Sequence, residues 1–417
     1  MDEVVRESAD TLHGQLQRGL GRAARRAAGH PGAGELVYDC VRRDPRWDHQ
    51  CESRSLYYAR LMVDLELPTG PLAGHLLDPV DHADPDEGRV RLALDVLADL
   101  VRLSRREAAG PLREYALEGH HWFEAVDVLV ELRDPGLTGG VAETIAARCD
   151  EPDLDWLILD PSNPVIADWA GRQPRIAAAL ARRAARPAAA RPRRGPAGPD
   201  RSDSSESELL DLARRRDEGA VAAIFELGRR RAPALFDLAE ELLPQRSGRL
   251  GGAVCRALRE YGSAALPRAR AWARAHSGCE QLALCILARY GTQQDVPVLM
   301  DQFQTALERG AWGAAAAPVE GLGRLRAGAA VPLLKTAWTE TDYSYLRPRI
   351  LTALTRTAPH TAESYVVEGL WDCEEDVRRT AVETGPLTED TRFRLARLHT
   401  DPAESSEVRT TAGTRLN

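Results

Sequence analysis

Four stretches of the 417-residue chain bring together side chains able to do chemistry. The first is RRDPRWDHQCESRSLYYARL (Arg42–Leu61), where Asp48, His49 and Cys51 follow a tryptophan and Cys40 lies just upstream. A metal ion needs three or four converging ligands. On a helix, two residues two positions apart point about 200° away from each other, so His49 and Cys51 cannot address one ion from a single helix. The same segment sets Trp47, Cys51, Tyr58, Leu61 and Leu65 near one helical face, the pattern of a stripe that faces a core. The expectation is a repeat boundary, with Asp44 as N-cap, Pro45 as the first helical residue and a packed helix beyond.

The second stretch is His120-His121-Trp122, with His75 and His82 upstream. No HExxH or paired-carboxylate spacing accompanies it, so a histidine pair in the turn before a helix is expected. The third is CDEPDLDWLILDPSNPVIADW (Cys149–Trp169), which carries Asp150, Glu151, Asp153, Asp155, Asp160 and Asp168 with no basic residue among them. Such acids complement helix N-termini. With Trp122, Trp156 and Trp169 as anchors they also suit a docking face for a basic or Arg-rich protein. The DxDxDG pattern of a calcium loop is missing.

The fourth stretch holds Arg182, Arg183, Arg186, Arg191, Arg193 and Arg194. Clustered guanidiniums neutralise phosphates, but no aromatic platform for stacking bases is interleaved here. The acidic segment just upstream offers these arginines intramolecular partners. Nucleic acid is therefore disfavoured as a partner. There is no GxSxG, no P-loop and no GxGxxG, so the sequence points to no catalytic residue, no cofactor and no metal ligand.

The elements that position these residues follow from composition. Hydrophobic residues make up 43% and aromatics only 5%, while helix formers abound, which leans all-α. The net charge of −8 argues against a nucleic-acid sheath. Seven cysteines without a CxxC indicate neither a disulfide framework nor a zinc ribbon. The charged start MDEVVRESADTLHGQL is no signal peptide, and no run reaches the roughly 18 apolar residues of a membrane span. A cytoplasmic protein that does not enter membranes is expected.

Internal periods organise the chain. Asp44-Pro45 recurs at Asp84-Pro85, and Gly70-Pro71-Leu72 at Gly110-Pro111-Leu112, both with an offset of 40 residues. Tyr57 and Leu61 then align with Leu97 and Val101. Further on, Pro233, Pro267, Pro297 and Pro332 follow short turns at spacings of 34, 30 and 35 residues. A proline in the first helical turn loses no hydrogen bond, so each mark opens the second helix of a pair. Between the two periodic parts, RPAAARPRRGPAGPDRSDSSESE (Arg186–Glu208) has no apolar periodicity and reads as a disordered linker. The expected domains are a helical array over 1–185, the linker over 186–208, and a second array over 209–417.

ADPDEGRVRLALDVLADL (Ala83–Leu100), DCEEDVRRTAVE (Asp372–Glu383) and LRAGAAVPLLKTAW (from Leu325) resemble HEAT repeats, with DPAESSEVRTTAGTRL (Asp401–Leu416) as a final copy. The resemblance implies a right-handed α-solenoid of stacked antiparallel helix pairs, whose concave face in that family commonly grips a protein. It covers most of residues 35–185 and 208–417. The resulting expectation is a noncatalytic interaction scaffold or regulator. The alternative is a HEAT-like enzyme, such as an alkylpurine DNA glycosylase or a bilin-lyase-like protein.

Overall fold

The computed structural model describes residues 5–82, 88–157, 160–185, 201–216, 219–245, 248–275 and 277–417. Among them the secondary structure is helical throughout, with 26 α-helices, short 3₁₀ turns and no strand. The helices pack in neighbouring pairs, as an all-α solenoid of paired helices requires. The expected all-α class is therefore found. Asp84-Pro85 and residues 186–200 of the expected linker lie outside the described residues. At that linker's far end, Ser205 and Glu208 cap each other's backbone in a capping box and start the helix Glu206–Arg215.

The chain divides into two compact units: Met1–Ala189 with Asp342–Pro348 and Glu363–Asn417, and Ala190–Thr341 with Arg349–Ala362. This partition differs from a division at 186–208, because the last 55 residues group with the first unit rather than with their sequence neighbours. The physical cause is specific pairing. Arg22 meets Glu368 at 2.8 Å, Arg60 meets Asp401 at 2.7 Å, and the Cys373 N–H donates to the Gly19 carbonyl at 3.0 Å. Cys373 also belongs to one hydrophobic cluster with Leu16, Val37 and Tyr58.

In the first unit the 40-residue offset is structural. Helices Gly70–Leu76 and Ala109–Glu118 carry the two Gly-Pro-Leu marks in their first turns, and Leu72 and Leu112 are both fully buried. Each such leucine contributes roughly 1.5–3 kcal/mol through removal from water. Neighbouring repeats are also tied by polar caps. The Asn163 amide donates to Val130 O at 2.9 Å, a carbonyl at the C-terminal end of helix Trp122–Glu131.

The second unit repeats the same construction. Pro233 is the N-cap of Ala234–Leu242, and Pro267, Pro297 and Pro332 each occupy the second position of a helix. The Tyr261 hydroxyl donates to Ala232 O at 3.0 Å, and Arg324 reaches back to Ala288 O at 2.7 Å and Gly291 O at 2.6 Å. Two Leu-Gly-Arg triplets, Leu227–Arg229 and Leu322–Arg324, each place their glycine against the α-helix after next. A Cβ on Gly228 would stand 2.8 Å from the Ala257 side chain, and one on Gly323 only 2.7 Å from Ala353. Glycine is required there by the close approach of backbones.

One expectation fails at Asp44-Pro45. Asp44 is the C-cap of Ala33–Arg43, with φ at 38°, and the next α-helix begins only at Ser55. Tyr58 and Leu61 are buried and Leu65 partly so, whereas Trp47 and Cys51 are exposed. The helical stripe is interrupted because the intervening charges have a different use.

Candidate functional site

The loop from Asp44 to Arg54 is folded by charge rather than by apolar packing. Arg46 bonds both Asp44 carboxylate oxygens through Nε, at 2.8 and 3.0 Å, with both side chains buried. Glu52 Oε2 accepts from the backbone N–H groups of Trp47 and Asp48, at 2.5 and 2.7 Å, and turns the loop back on itself. Glu52 Oε1 accepts from Arg54 at 2.8 Å, and from the Ser344 N–H and hydroxyl at 2.6 Å each. Arg54, fully buried, also donates to the carbonyls of Pro45, Asp342 and Gln17.

A second buried guanidinium continues this network. Arg347 binds Asp372 through two bonds of 2.9 Å, reaches Arg18 O at 2.8 Å and lies 3.0 Å from Cys373 Sγ. Asp372 accepts from the Glu374 N–H at 2.9 Å, and the Glu374 carboxyl accepts from the Ser344 hydroxyl. Ser344 thus stands between two carboxyls.

These two carboxyls are driven apart in acidity. Burial alone would raise Glu52, but the Arg54 charge and the Ser344 and backbone hydrogen bonds hold it below the usual range. Burial raises Glu374, against the weaker pull of Ser344 and Arg347. Glu374 is therefore the weaker acid of the two, and the single Ser344 hydroxyl proton is shared between them. Burial also pushes the Cys40 and Cys373 thiols up to about 12, so neither is a nucleophile at neutral pH.

The network holds up an aromatic surface. Trp47 is 46% exposed and Tyr345 39%. Trp47 leans on Tyr343 with ring centroids 4.8 Å apart, and Tyr343 lies 5.8 Å from Tyr345. Asp48 flanks the cluster and accepts from the Gln50 N–H at 2.9 Å, beside exposed Cys51. Among the described residues no guanidinium stacks on Trp47. The chain does fill other tryptophan faces internally: Arg148 covers Trp122 at 5.3 Å, and Arg25 and Arg394 cover Trp371 at 5.0 and 5.3 Å.

The residues singled out in the acidic segment fare differently. Trp169 is a correction: it is fully buried and its Nε1 donates to Thr138 Oγ1 at 3.0 Å, so it anchors a core and not a partner. The Trp156 side chain lies outside the described residues. Trp122 is half-buried, packed edge-on against Phe123 at 5.5 Å and covered by Arg148. Glu151 pairs with Arg182 at 2.5 Å and with Arg175 at 3.4 Å, and Asp155 pairs with Arg182 at 2.9 Å. Asp160 meets Arg133 at 3.7 Å, and Asp168 pairs with Arg172. Asp150 accepts from the Asp153 N–H at 2.9 Å, and both are exposed. Most of this acidity is thus neutralised within the chain. His121 is the N-cap residue of Trp122–Glu131, in the turn expected for it.

Comparison with family models, with curated proteins and with solved structures gave no match. No helix among the described residues is long and apolar enough to cross a membrane.

Proposed function

We propose that the chain is a HEAT-like, cytoplasmic, noncatalytic interaction scaffold that captures a basic, Arg-bearing segment of a protein partner on the Trp47–Tyr343–Tyr345 surface. The observation that carries this reading is an exposed tryptophan and tyrosine cluster standing on a fully buried charge network. Trp, Tyr and Arg dominate binding energy at protein interfaces. A rigid base lowers the ordering cost of using them. The partner chemistry follows from the free face of Trp47, from Asp48 beside it, and from the net charge of −8. A guanidinium over an indole gains about 0.5–2 kcal/mol, depending on how far it is desolvated.

The test is a titration with a synthetic Arg-rich peptide and its Lys-for-Arg counterpart, followed by tryptophan emission and calorimetry at matched ionic strength. The Arg peptide should bind more tightly, and Trp47→Ala and Tyr345→Ala should each weaken it by about tenfold or more. Equal binding by both variants and the unaltered chain would sink the assignment.

A further inference from the structure

A separate pocket in the first unit holds a charge that the fold does not neutralise. Helix Ser55–Asp64 and helix Glu389–Thr400 frame a cavity of about 180 Å³. Arg60, Arg394 and Arg397 line it with Asp64 and Asp401, and Val63, Leu103 and Pro402 supply an apolar wall. Two of the arginines are paired. Arg60 binds Asp401 at 2.7 Å and Glu404 at 2.9 Å, and Glu404 is shared with buried Arg378 at 2.7 Å. Arg397 meets Asp64 at 2.7 Å on the exposed rim.

Arg394 differs from both. It is 4% exposed, its Nε donates to Leu370 O at 3.1 Å, and its plane lies against Trp371. Among the described residues neither of its Nη groups has an acceptor. Of the guanidiniums gathered here, Arg60, Arg378 and Arg397 each meet a carboxylate, while among the described residues Arg394 forms no ion pair. A buried cation without a counter-charge is costly unless something completes it.

We propose that this pocket is a binding site for a small organic oxyanion, whose phosphate or carboxylate head bonds the Arg394 guanidinium while a short body rests on Val63, Leu103 and Pro402. The planar fork of an arginine suits two oxygens of one head group. The volume exceeds what one or two waters occupy, since a water takes about 30 Å³ in the liquid. Burial, then the like charges of Arg60, Arg397 and Arg378, outweigh the more distant pull of Asp64 and depress Arg394 to about 9, which leaves it cationic at neutral pH. The site is independent of the aromatic surface and does not rest on the scaffold reading.

The experiment is calorimetric titration of the full chain with inorganic phosphate, sulfate, acetate and butyrate against ionic-strength-matched chloride. At least one probe should bind saturably. Tighter phosphate binding identifies a phosphoryl head, and butyrate above acetate identifies a carboxylate with an apolar body. Arg394→Gln should lower the affinity by about tenfold or more. Asp64→Asn, a half-exposed change that frees Arg397, should raise it several-fold, so the proposal stays testable if the first variant does not fold. No saturable binding by any probe, retained affinity in Arg394→Gln, or weaker binding in Asp64→Asn would each overturn the site.

Discussion

Replacing either carboxyl beside Ser344 with its amide separates their roles, although both are glutamates in one buried network. Glu52 accepts five donors: Arg54, the Ser344 N–H and hydroxyl on Oε1, and the Trp47 and Asp48 N–H groups on Oε2. In Glu52→Gln, one of these oxygens becomes an NH₂ group facing two or three donors, whichever way the amide is turned. The change also leaves Arg54, fully buried, without its carboxylate. Breaking such a pair costs about 3–5 kcal/mol. Glu374→Gln instead keeps an oxygen that accepts from the Ser344 hydroxyl, and should cost under about 1 kcal/mol.

The assay is native-state hydrogen exchange at the amides of Trp47, Asp48 and Ser344, which reads local opening free energy directly. Glu52→Gln should speed exchange by roughly two to three and a half orders of magnitude, at a decade per 1.4 kcal/mol. The pH dependence has a definite sign. Glu374 has a raised folded pKa, so its contribution is complete at low pH and fades as pH rises through that raised value. Wild-type protection should therefore fall toward alkaline pH relative to Glu374→Gln, whose amide does not titrate. Equal costs for the two substitutions, or no difference in pH slope, would refute this division of roles between Glu52 and Glu374.

Trp169→Phe should cost about 1–2 kcal/mol through the lost Thr138 bond and reduced volume, and Trp169→Ala about 3–5 kcal/mol; denaturation midpoints check both, with peptide binding unchanged. Exposed Cys51, although its pKa is raised by the hydrogen bond to Asp48, should react with iodoacetamide in the folded protein, while Cys40 and Cys373 stay protected until unfolding, as peptide mapping of labelled protein will read. Cys51→Ala should then leave stability within about 0.5 kcal/mol, in contrast to what a core-facing position would show.

Much of the helical construction is legible from local marks. The Gly-Pro-Leu pair at an offset of 40 and the four spaced prolines do open helices, because glycine and proline restrict backbone geometry without help from distant residues. Asp44-Pro45 misleads for the same reason: the dipeptide reads as an N-cap, and only Arg46 and Glu52 reveal a loop. The acids at 150–168 are legible as charged but not as paired, since their partners Arg133, Arg172, Arg175 and Arg182 sit outside or at the edge of the quoted run. Trp169 and Trp47 look alike in sequence, yet one is core and the other surface. The Asp44, Arg46, Glu52, Arg54 alternation beside Trp47 was the one visible hint of a buried network. Nothing local pairs residue 52 with residue 344, or residue 394 with a pocket beside residue 60.

The discontinuity of the first unit sets an order on biosynthesis. Arg54 donates to the carbonyl of Asp342, 288 positions later. At roughly 5–20 residues added per second, the ribosome needs about a quarter of a minute to a minute to supply that acceptor. Throughout this interval the nascent chain holds Glu52 and Arg54 without Ser344, and the Gly19 turn without Cys373. The helices up to Tyr58 emerge long before their partners, so the window for engagement by a chaperone stays open until residues 342–373 have been made.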